Sequence, residues 1–340
     1  MTRIPIGELV RFGGELLRAK GVPEDDARYA AEVAVTAEAM GINTHGLALL
    51  AYLEANLGKE ILPDAQPRIK AEKTASVLID GNRSLGQTTM RLACEKAAEK
   101  ARQAGIGMAA ASNTFWLGAL APYLLPLARQ GLMAHAWAQT STCKDCAPYG
   151  GVDARFSTNP VALAFPTGNG PVLADFSTAA VAMGKVNRWI REGKRAPEPF
   201  FLDPRGRPTD DPAVVKEGGS IRFSGGHKGY ALSLWCEALT ALAAGSCNNP
   251  QAPSRQSFSV LAIDPEAFAG AEYYLGEMRR FVAHLRTSRT RPGFEKIRLP
   301  GERALEALAR AEEEGVPVEE EMLGRLSAMA ARNGIAPPAA

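Results

Sequence analysis

An α/β fold, with a mixed strand–helix core and helices contributed by both chain ends, follows from three features of the 340-residue sequence. Apolar residues recur three or four apart through the first 60 residues, and 302–334 is again charged and helical in pattern. Between these stretches, short apolar runs of strand character alternate with helical ones. No G-x-G-x-x-G follows a strand and no G-x-x-x-x-G-K-[ST] is present, so neither common phosphate-binding loop is signalled. With 46% hydrophobic and 22% charged residues, the chain can bury one large core or two ordinary ones. Disorder and collagen-like repeats are excluded.

The spacing predicts helices over 6–18 and 27–39, the second opened by Pro23 and the acids Glu24, Asp25 and Asp26, which favour a positive helix end. A third should start at Thr44 and run to Gly58. SVLID (76–80) and IGMAAA (106–111) read as strands around a helix, 86–105, closed by Gly105. A helix over 117–131 with an early Pro122 follows. LMAHAWAQ (132–139), VALAFP (161–166) and PVLADFS (171–177) read as buried strands, and 179–193 as a helix. The Pro- and Gly-rich stretch 194–224 reads as a long loop of the kind that is often functional. GYALSLWCEALTALAAG (229–245) reads as a buried core helix, too short to span a bilayer. SFSVLAIDP (257–265) is a late strand. The last helices are expected to fold back onto the first three as one discontinuous helical unit.

Lys plus Arg number 39 and Asp plus Glu 37, a net charge of +2 that gives nucleic acid no broad basic surface. Five Cys in a chain of this length form no disulfide framework, so a cytoplasmic location is expected. The N-terminus carries Glu8 and Glu15 within its apolar stretch and is not expected to act as a signal peptide.

Chemistry-bearing residues are few. Cys143 and Cys146 form a C-x-x-C that serves as a redox pair, half a metal site or, most simply, two small thiols in a loop. No metal is expected. Of four His, His135 in an apolar strand and His284 on a charged helix read as structural. His45, at a predicted helix start, is either a cap-region residue or an imidazole whose pKa the positive helix end lowers. His227 and Lys228 lie in SGGHKGYAL, where glycines permit close approach and a helix start favours an anion. The alternative is a plain loop-to-helix turn. In ADFSTAAVAMGK (174–185), Asp175, Ser177 and Thr178 sit at a strand end, a usual ligand position, or simply cap the next helix.

These segments together resemble the malate/L-lactate dehydrogenase family of type 2, which includes ureidoglycolate and sulfolactate dehydrogenases and diketogulonate and piperideine-2-carboxylate reductases. The resemblance is carried in order by THG (44–46), LPDAQPRI (62–69), SLGQ (84–87), GIGMAAASN (105–113), APYGG (147–151), STNPVALAFP (157–166), ADFSTAAVAMGK (174–185), GGHKGYAL (225–232) and RLPGE (298–302). It implies a non-Rossmann, mixed-sheet NAD(P)-binding domain over 73–299. A helical domain would be built from 1–72 and 300–340. The resemblance also implies NAD or NADP as cofactor, a small-molecule substrate and a homodimer. By position, Asp175, Phe176, Ser177 and Thr178, continuing to Val181, are expected to line the dinucleotide. His227, Lys228, Gly301, Glu302 and Arg303 are expected to contact it, with Thr142, Thr158 and Asn159 close by. His45 matches a proton donor of some members. Hydride reaching a carbonyl carbon leaves an alkoxide that must be protonated.

Two positions depart from the family. Thr114 stands where members usually carry a catalytic His, and a hydroxyl is no general acid near neutral pH. Leu49 stands where an Arg four residues after His45 would fork a carboxylate. His45 and Thr114, with a water held by the latter, are therefore the expected catalytic pair, and Leu49, Tyr52 and Trp116 the expected substrate-pocket residues. The expected function is hydride transfer to or from a C=O or C=N substrate other than malate or lactate. The alternative is a pseudoenzyme or non-redox enzyme on the same scaffold.

Overall fold

The computed structural model describes residues 2–339. The chain begins with β1 (Thr2–Ile4), α1 (Ile6–Ala19), α2 (Glu24–Ala39) and α3 (Ala48–Asn56). Leu9, Phe12, Leu16 and Leu17 make α1 amphipathic and are fully buried, each side chain contributing about 2 kcal/mol. Pro23 precedes the first turn of α2, whose acids face the positive end. Thr44 does not cap α3; its hydroxyl bonds His45 instead.

The central sheet takes β2 (Arg68–Glu72), β3 (Ser76–Asp80), β4 (Ile106–Thr114), β5 (Met133–Thr140), β6 (Pro160–Pro166) and β7 (Pro171–Ser177), with α4 (Gly86–Ala104) between β3 and β4, and α5 (Ala121–Arg129) between β4 and β5. After α6 (Met183–Glu192), the stretch read as a loop folds as a small sheet, β8 (Phe201–Leu202), β9 (Pro208–Thr209) and β10 (Ser220–Ile221). It is held by Trp189, Phe201, Ile221 and Phe223, an apolar cluster its Pro and Gly content concealed. There follow α7 (His227–Leu242), β11 (Gln256–Ile263), α8 (Ala271–Arg286), α9 (Glu302–Glu314), β12 (Val316–Val318) and α10 (Glu320–Asn333). The charged helix expected around His284 is α8, which buries little beyond Val282; β2, exposed throughout, does not stand out in the sequence.

Strand order is β2-β3-β4-β11-β5-β6-β7. Only β3 and β4 are parallel, joined by the α4 crossover that parallel pairing requires; the late strand β11 inserts antiparallel between β4 and β5. β2 therefore belongs to the sheet, although the sequence groups it with the N-terminal helices. Pairing of β1 with β12 joins the chain ends, and one continuous apolar cluster runs from α1–α3 through the sheet to α10.

One expectation is reversed. α7 is not a buried core helix. It turns Ser233, Cys236, Glu237 and Thr240 inward and leaves Leu232, Leu234, Trp235 and Leu242 between 41% and 59% exposed. The inward polar groups form a network. Asn159 Nδ2 donates to Ser233 Oγ at 2.9 Å and Glu237 Oε1 at 3.0 Å, and Gln139 Nε2 donates to Glu237 Oε2 at 3.1 Å. Among the described residues no helix is long and apolar enough to cross a membrane.

Candidate active site

The register brings the ends of β5 and β7 and the starts of β6 and β11 to one edge of the sheet, where Gln256 pairs with Thr140 and Pro160 with Ser177. Segments 42–52, 115–120 and 179–187 close over this edge to enclose a cavity of about 850 Å³. That volume suits a cofactor-sized ligand.

His45, Tyr52 and Trp116 line one wall. Both His45, at 5.5 Å, and Tyr52, at 5.0 Å, lie edge-on to the Trp116 ring. His45 Nδ1 shares a 2.8 Å hydrogen bond with Thr44 Oγ1, and burial lowers its pKa, so the imidazole is neutral at pH 7. The turn that carries it is held by buried Glu38, which accepts from the Leu47 amide at 2.9 Å and from Asn43 Nδ2. Gln87 Nε2 donates to the Trp116 carbonyl at 2.9 Å, while Gln256 Oε1 accepts from the Leu117 amide at 2.8 Å. Trp116 is thus fixed from two elements.

Thr158, Asp175, Phe176 and Ser177 also line the cavity. Asp175 Oδ2 accepts from the amides of Leu120 and Ala121 at 2.7 and 2.9 Å, which starts α5 four residues later than its sequence pattern. Burial raises its carboxyl pKa. The Thr158 carbonyl accepts from Ser177 Oγ and Thr178 Oγ1, both at 2.9 Å, locking the two strand ends together. Thr178 itself is buried and outside the lining, and Asn159 points into the α7 network.

Other expected residues stand elsewhere. Thr114 ends β4 facing α4, fully buried, its hydroxyl 3.4 Å from Thr89 Oγ1. An irregularity just before it, where the β4–β11 register shifts and Asn113 adopts a φ of 58°, sets its direction, and Thr114 is off the cavity lining. Leu49 packs in the core beneath Gly118, also off the lining. Thr142 donates to Ser254 Oγ at 3.0 Å beside the cavity. His227 and Lys228 are exposed at the start of α7, three and four residues after the lining Ser224. Gly301 packs against Leu173, Glu302 accepts from the Leu299 amide at 2.9 Å, and Arg303 is exposed; these three are off the lining.

Several lining residues stand outside the expected cofactor and substrate positions, although Cys143 belongs to the C-x-x-C and Gly184 to the 174–185 motif. Arg255 and Gln256 arrive from the loop before β11, Cys143 and Asp145 from the C-x-x-C segment, and Gly184 from the start of α6. Nothing local marks Arg255, whose neighbours are ordinary loop residues. Burial pushes the Asp145 carboxyl up to about 6 and the Cys143 thiol up to about 11, so the thiol is not an activated one. Among the described residues no cluster of three or more His, Cys, Asp and Glu is placed to hold a metal ion.

The site fits a dinucleotide. α6 and α7 both begin without a side-chain cap, at Ala182 and at Gly226, leaving first-turn amides for an anion. Gly225 and Gly226 adopt φ of 62° and 64°, which lets the backbone turn into α7 with Lys228 in its first turn. Arg191, Lys194 and Arg195, by contrast, pair with Glu321, Glu192 and Asp210.

A model of the family described as malate/L-lactate dehydrogenase matches residues 4–327. Malate dehydrogenase of Pyrococcus abyssi is 33% identical, covering 98% of this chain and 96% of the relative. The Δ1-pyrroline-2-carboxylate/Δ1-piperideine-2-carboxylate reductase of Pseudomonas putida is 30% identical over 95% of each. The solved structure of malate dehydrogenase from Pyrococcus horikoshii superimposes with a TM-score of 0.89 at 28% identity, covering 99% and 97%. The mixed sheet, the cavity at its edge and these full-length matches agree: the chain belongs to the malate/L-lactate dehydrogenase family and is an oxidoreductase that uses NAD or NADP.

Proposed function

We propose that this dehydrogenase moves hydride between NAD(P) and a C=N or C=O compound with an apolar body, and that neither malate nor lactate is its substrate. The observation that carries this reading is the His45 wall. One neutral imidazole faces the cavity beside Trp116 and Tyr52, and among the described lining residues there is no second histidine.

The dinucleotide, when bound, supplies or accepts the hydride. Thr158, Asp175, Phe176, Ser177 and the first turn of α6 would hold it, with the α7 start, His227 and Lys228 beside its phosphates. Gly301, Glu302 and Arg303 are left out of this assignment. His45 Nε2 is free of the Thr44 bond and meets the substrate. A neutral imidazole is a good base for an alcohol proton and a weak acid toward an alkoxide. A protonated C=N carbon takes hydride and becomes an amine without needing an acid. The named activity of the Pseudomonas putida relative supports the C=N choice.

The test is a titration of purified protein with NADH and NADPH by energy transfer from tryptophan, then a panel of cyclic imines, ketones, malate and lactate. Saturable binding of one nucleotide is expected. Turnover of an imine or bulky ketone should exceed that of malate and lactate by about tenfold or more in kcat/KM, about 1.4 kcal/mol. Equal or better turnover of malate or lactate would overturn the reading.

We further place the enzyme in the cytoplasm as a homodimer. Five free cysteines fit a reducing compartment. The outward apolar face of α7 supports a second copy as its cover. Trp235→Glu is expected to shift the sedimentation coefficient from dimer to monomer; a monomeric wild type would end that assignment.

A further inference from the structure

Among the described lining residues, Arg255 is the one lysine or arginine on the cavity. Its surroundings are specific. Nη1 donates to Glu60 Oε2 at 2.9 Å and to the Ser254 carbonyl at 2.8 Å. The guanidinium carbon lies 4.6 Å from the centre of the Phe115 ring. The Arg255 side chain is 19% exposed, whereas Glu60 is 58% exposed. So one corner is pinned from the solvent side and one face covers an aromatic ring. Among the described residues, Nε and Nη2 have no protein partner.

A guanidinium fork with a free, largely desolvated edge matches a planar oxyanion, which it binds through two parallel hydrogen bonds. Glu60 offsets the charge while the site is empty. As an exposed partner it adds little binding of its own and does not compete strongly for the fork. Arg255 also bears on Tyr52, whose phenol pKa burial raises and the arginine charge opposes. The cation therefore belongs to the same end of the cavity as Tyr52, Trp116 and His45.

We propose that Arg255, presented by Glu60 and Phe115, anchors a single substrate carboxylate at this end of the cavity and makes the enzyme selective for monocarboxylates whose apolar body is larger than that of lactate. The anchor thus comes from the loop before β11 rather than from α3, where Leu49 is buried. A second carboxylate, as in a dicarboxylic acid, meets no cation. The apolar remainder of the substrate lies against Phe115, Trp116 and Tyr52. This assignment rests on the reading above that a C=N or C=O compound occupies this end.

The experiment uses full-length protein saturated with whichever reduced nucleotide it binds. The probe is pyridine-2-carboxylate, a flat, unreactive monocarboxylate, with pyridine as its carboxylate-free control. Binding is measured by calorimetry for wild type, Arg255→Met, Arg255→Lys and Glu60→Gln. Arg255→Met is expected to weaken pyridine-2-carboxylate about 30- to 100-fold, the loss of a charge-assisted pair of hydrogen bonds. Arg255→Lys should recover part of that loss. Glu60→Gln should stay within about threefold of wild type, as an exposed pair does. Pyridine binding and nucleotide binding should be equal in all four proteins. With a turned-over monocarboxylate, Arg255→Met should raise KM far more than it lowers kcat. Wild-type affinity of Arg255→Met for pyridine-2-carboxylate, or no binding of that probe by wild type, overturns the proposal. Arg255-dependent binding without turnover of any imine or ketone would instead leave the anchor standing and remove the redox reading.

Discussion

The two ends of the cavity are built differently. At the end assigned to the dinucleotide, strand ends, tight turns and two helix starts do the work, and the lining residues come in short runs: 157, 158 and 160, 175–177, 179–184, and Ser224 before the α7 start. At the substrate end, His45 and Tyr52, Trp116, and Arg255 come from three separate segments, each side chain aimed by its own partners. A site made of backbone shape needs runs of particular residues. A site made of side-chain tips needs only that each tip arrive, and its chain neighbours are free to vary. The first kind tolerates changes in individual side chains; the second fails with one.

His45→Gln tests the fragile end most directly. The expected loss in kcat is about 10²- to 10⁴-fold on an alcohol or ketone, the range for a removed acid–base group, and much smaller on an imine. Nucleotide binding by fluorescence should not change. An equal loss on both substrate types would show that His45 does something other than move a proton. Gly184→Ala tests whether the two ends are coupled. A Cβ at Gly184 would lie 2.8 Å from the Thr44 Cβ, and Thr44 holds His45 Nδ1. A methyl group at the cofactor end should therefore misplace the imidazole at the other, lowering kcat about 10- to 100-fold. Retained wild-type kcat would mean that Thr44 yields without moving His45.

This difference explains what could be read from the chain. Nine ordered motifs pointed to the family and to a mixed sheet, because turns and helix starts leave local signatures. The catalytic details were not legible. Thr114 stands at the position of a catalytic residue, yet after the irregularity at Asn113 it faces Thr89. Leu49 looked like a replaced clamp, yet it lies under Gly118. Arg255 is 210 residues beyond His45 and nothing near it in sequence marks it. α7 misled for a related reason. Its composition is that of a core helix, but beyond its first turn the polar Ser233, Glu237 and Thr240 are turned inward, where Asn159 and Gln139 partner Ser233 and Glu237. Composition cannot say which face is inside.

A smaller effect comes from a lining carboxyl assigned to neither end. The Asp145 carboxyl lines the cavity with its pKa raised by burial from 3.8 to about 6. Between those values the folded state holds the proton more tightly than the unfolded chain. Its contribution to stability is therefore present below pH 4 and is lost as pH rises through 6. Asp145→Asn keeps an acceptor for the Thr158 amide and cannot ionise. The variant should match wild type near pH 4 and exceed it above pH 6, by at most about 3 kcal/mol. Thermal melting of nucleotide-free protein across pH 4–7 would show the two curves diverging. Parallel curves would mean that water reaches the carboxylate and the burial is incomplete.

The smallest expected effect falls where the family comparison promised the largest. Thr114→Val removes the hydroxyl at the position where relatives are expected to carry a catalytic histidine, while keeping a branched side chain of nearly the same shape. Inside this fold that hydroxyl makes one long 3.4 Å contact with Thr89 Oγ1, in a fully buried place behind the cavity wall. Its loss should cost about 0.5–1 kcal/mol of stability and change kcat and KM less than about threefold on any substrate. A hundredfold fall in kcat with unchanged melting temperature would place Thr114 in the chemistry after all, and would require β4 to turn its last residue outward when substrate binds. The two results differ by more than 2 kcal/mol in transition-state stabilisation, so steady-state kinetics alone decides between them.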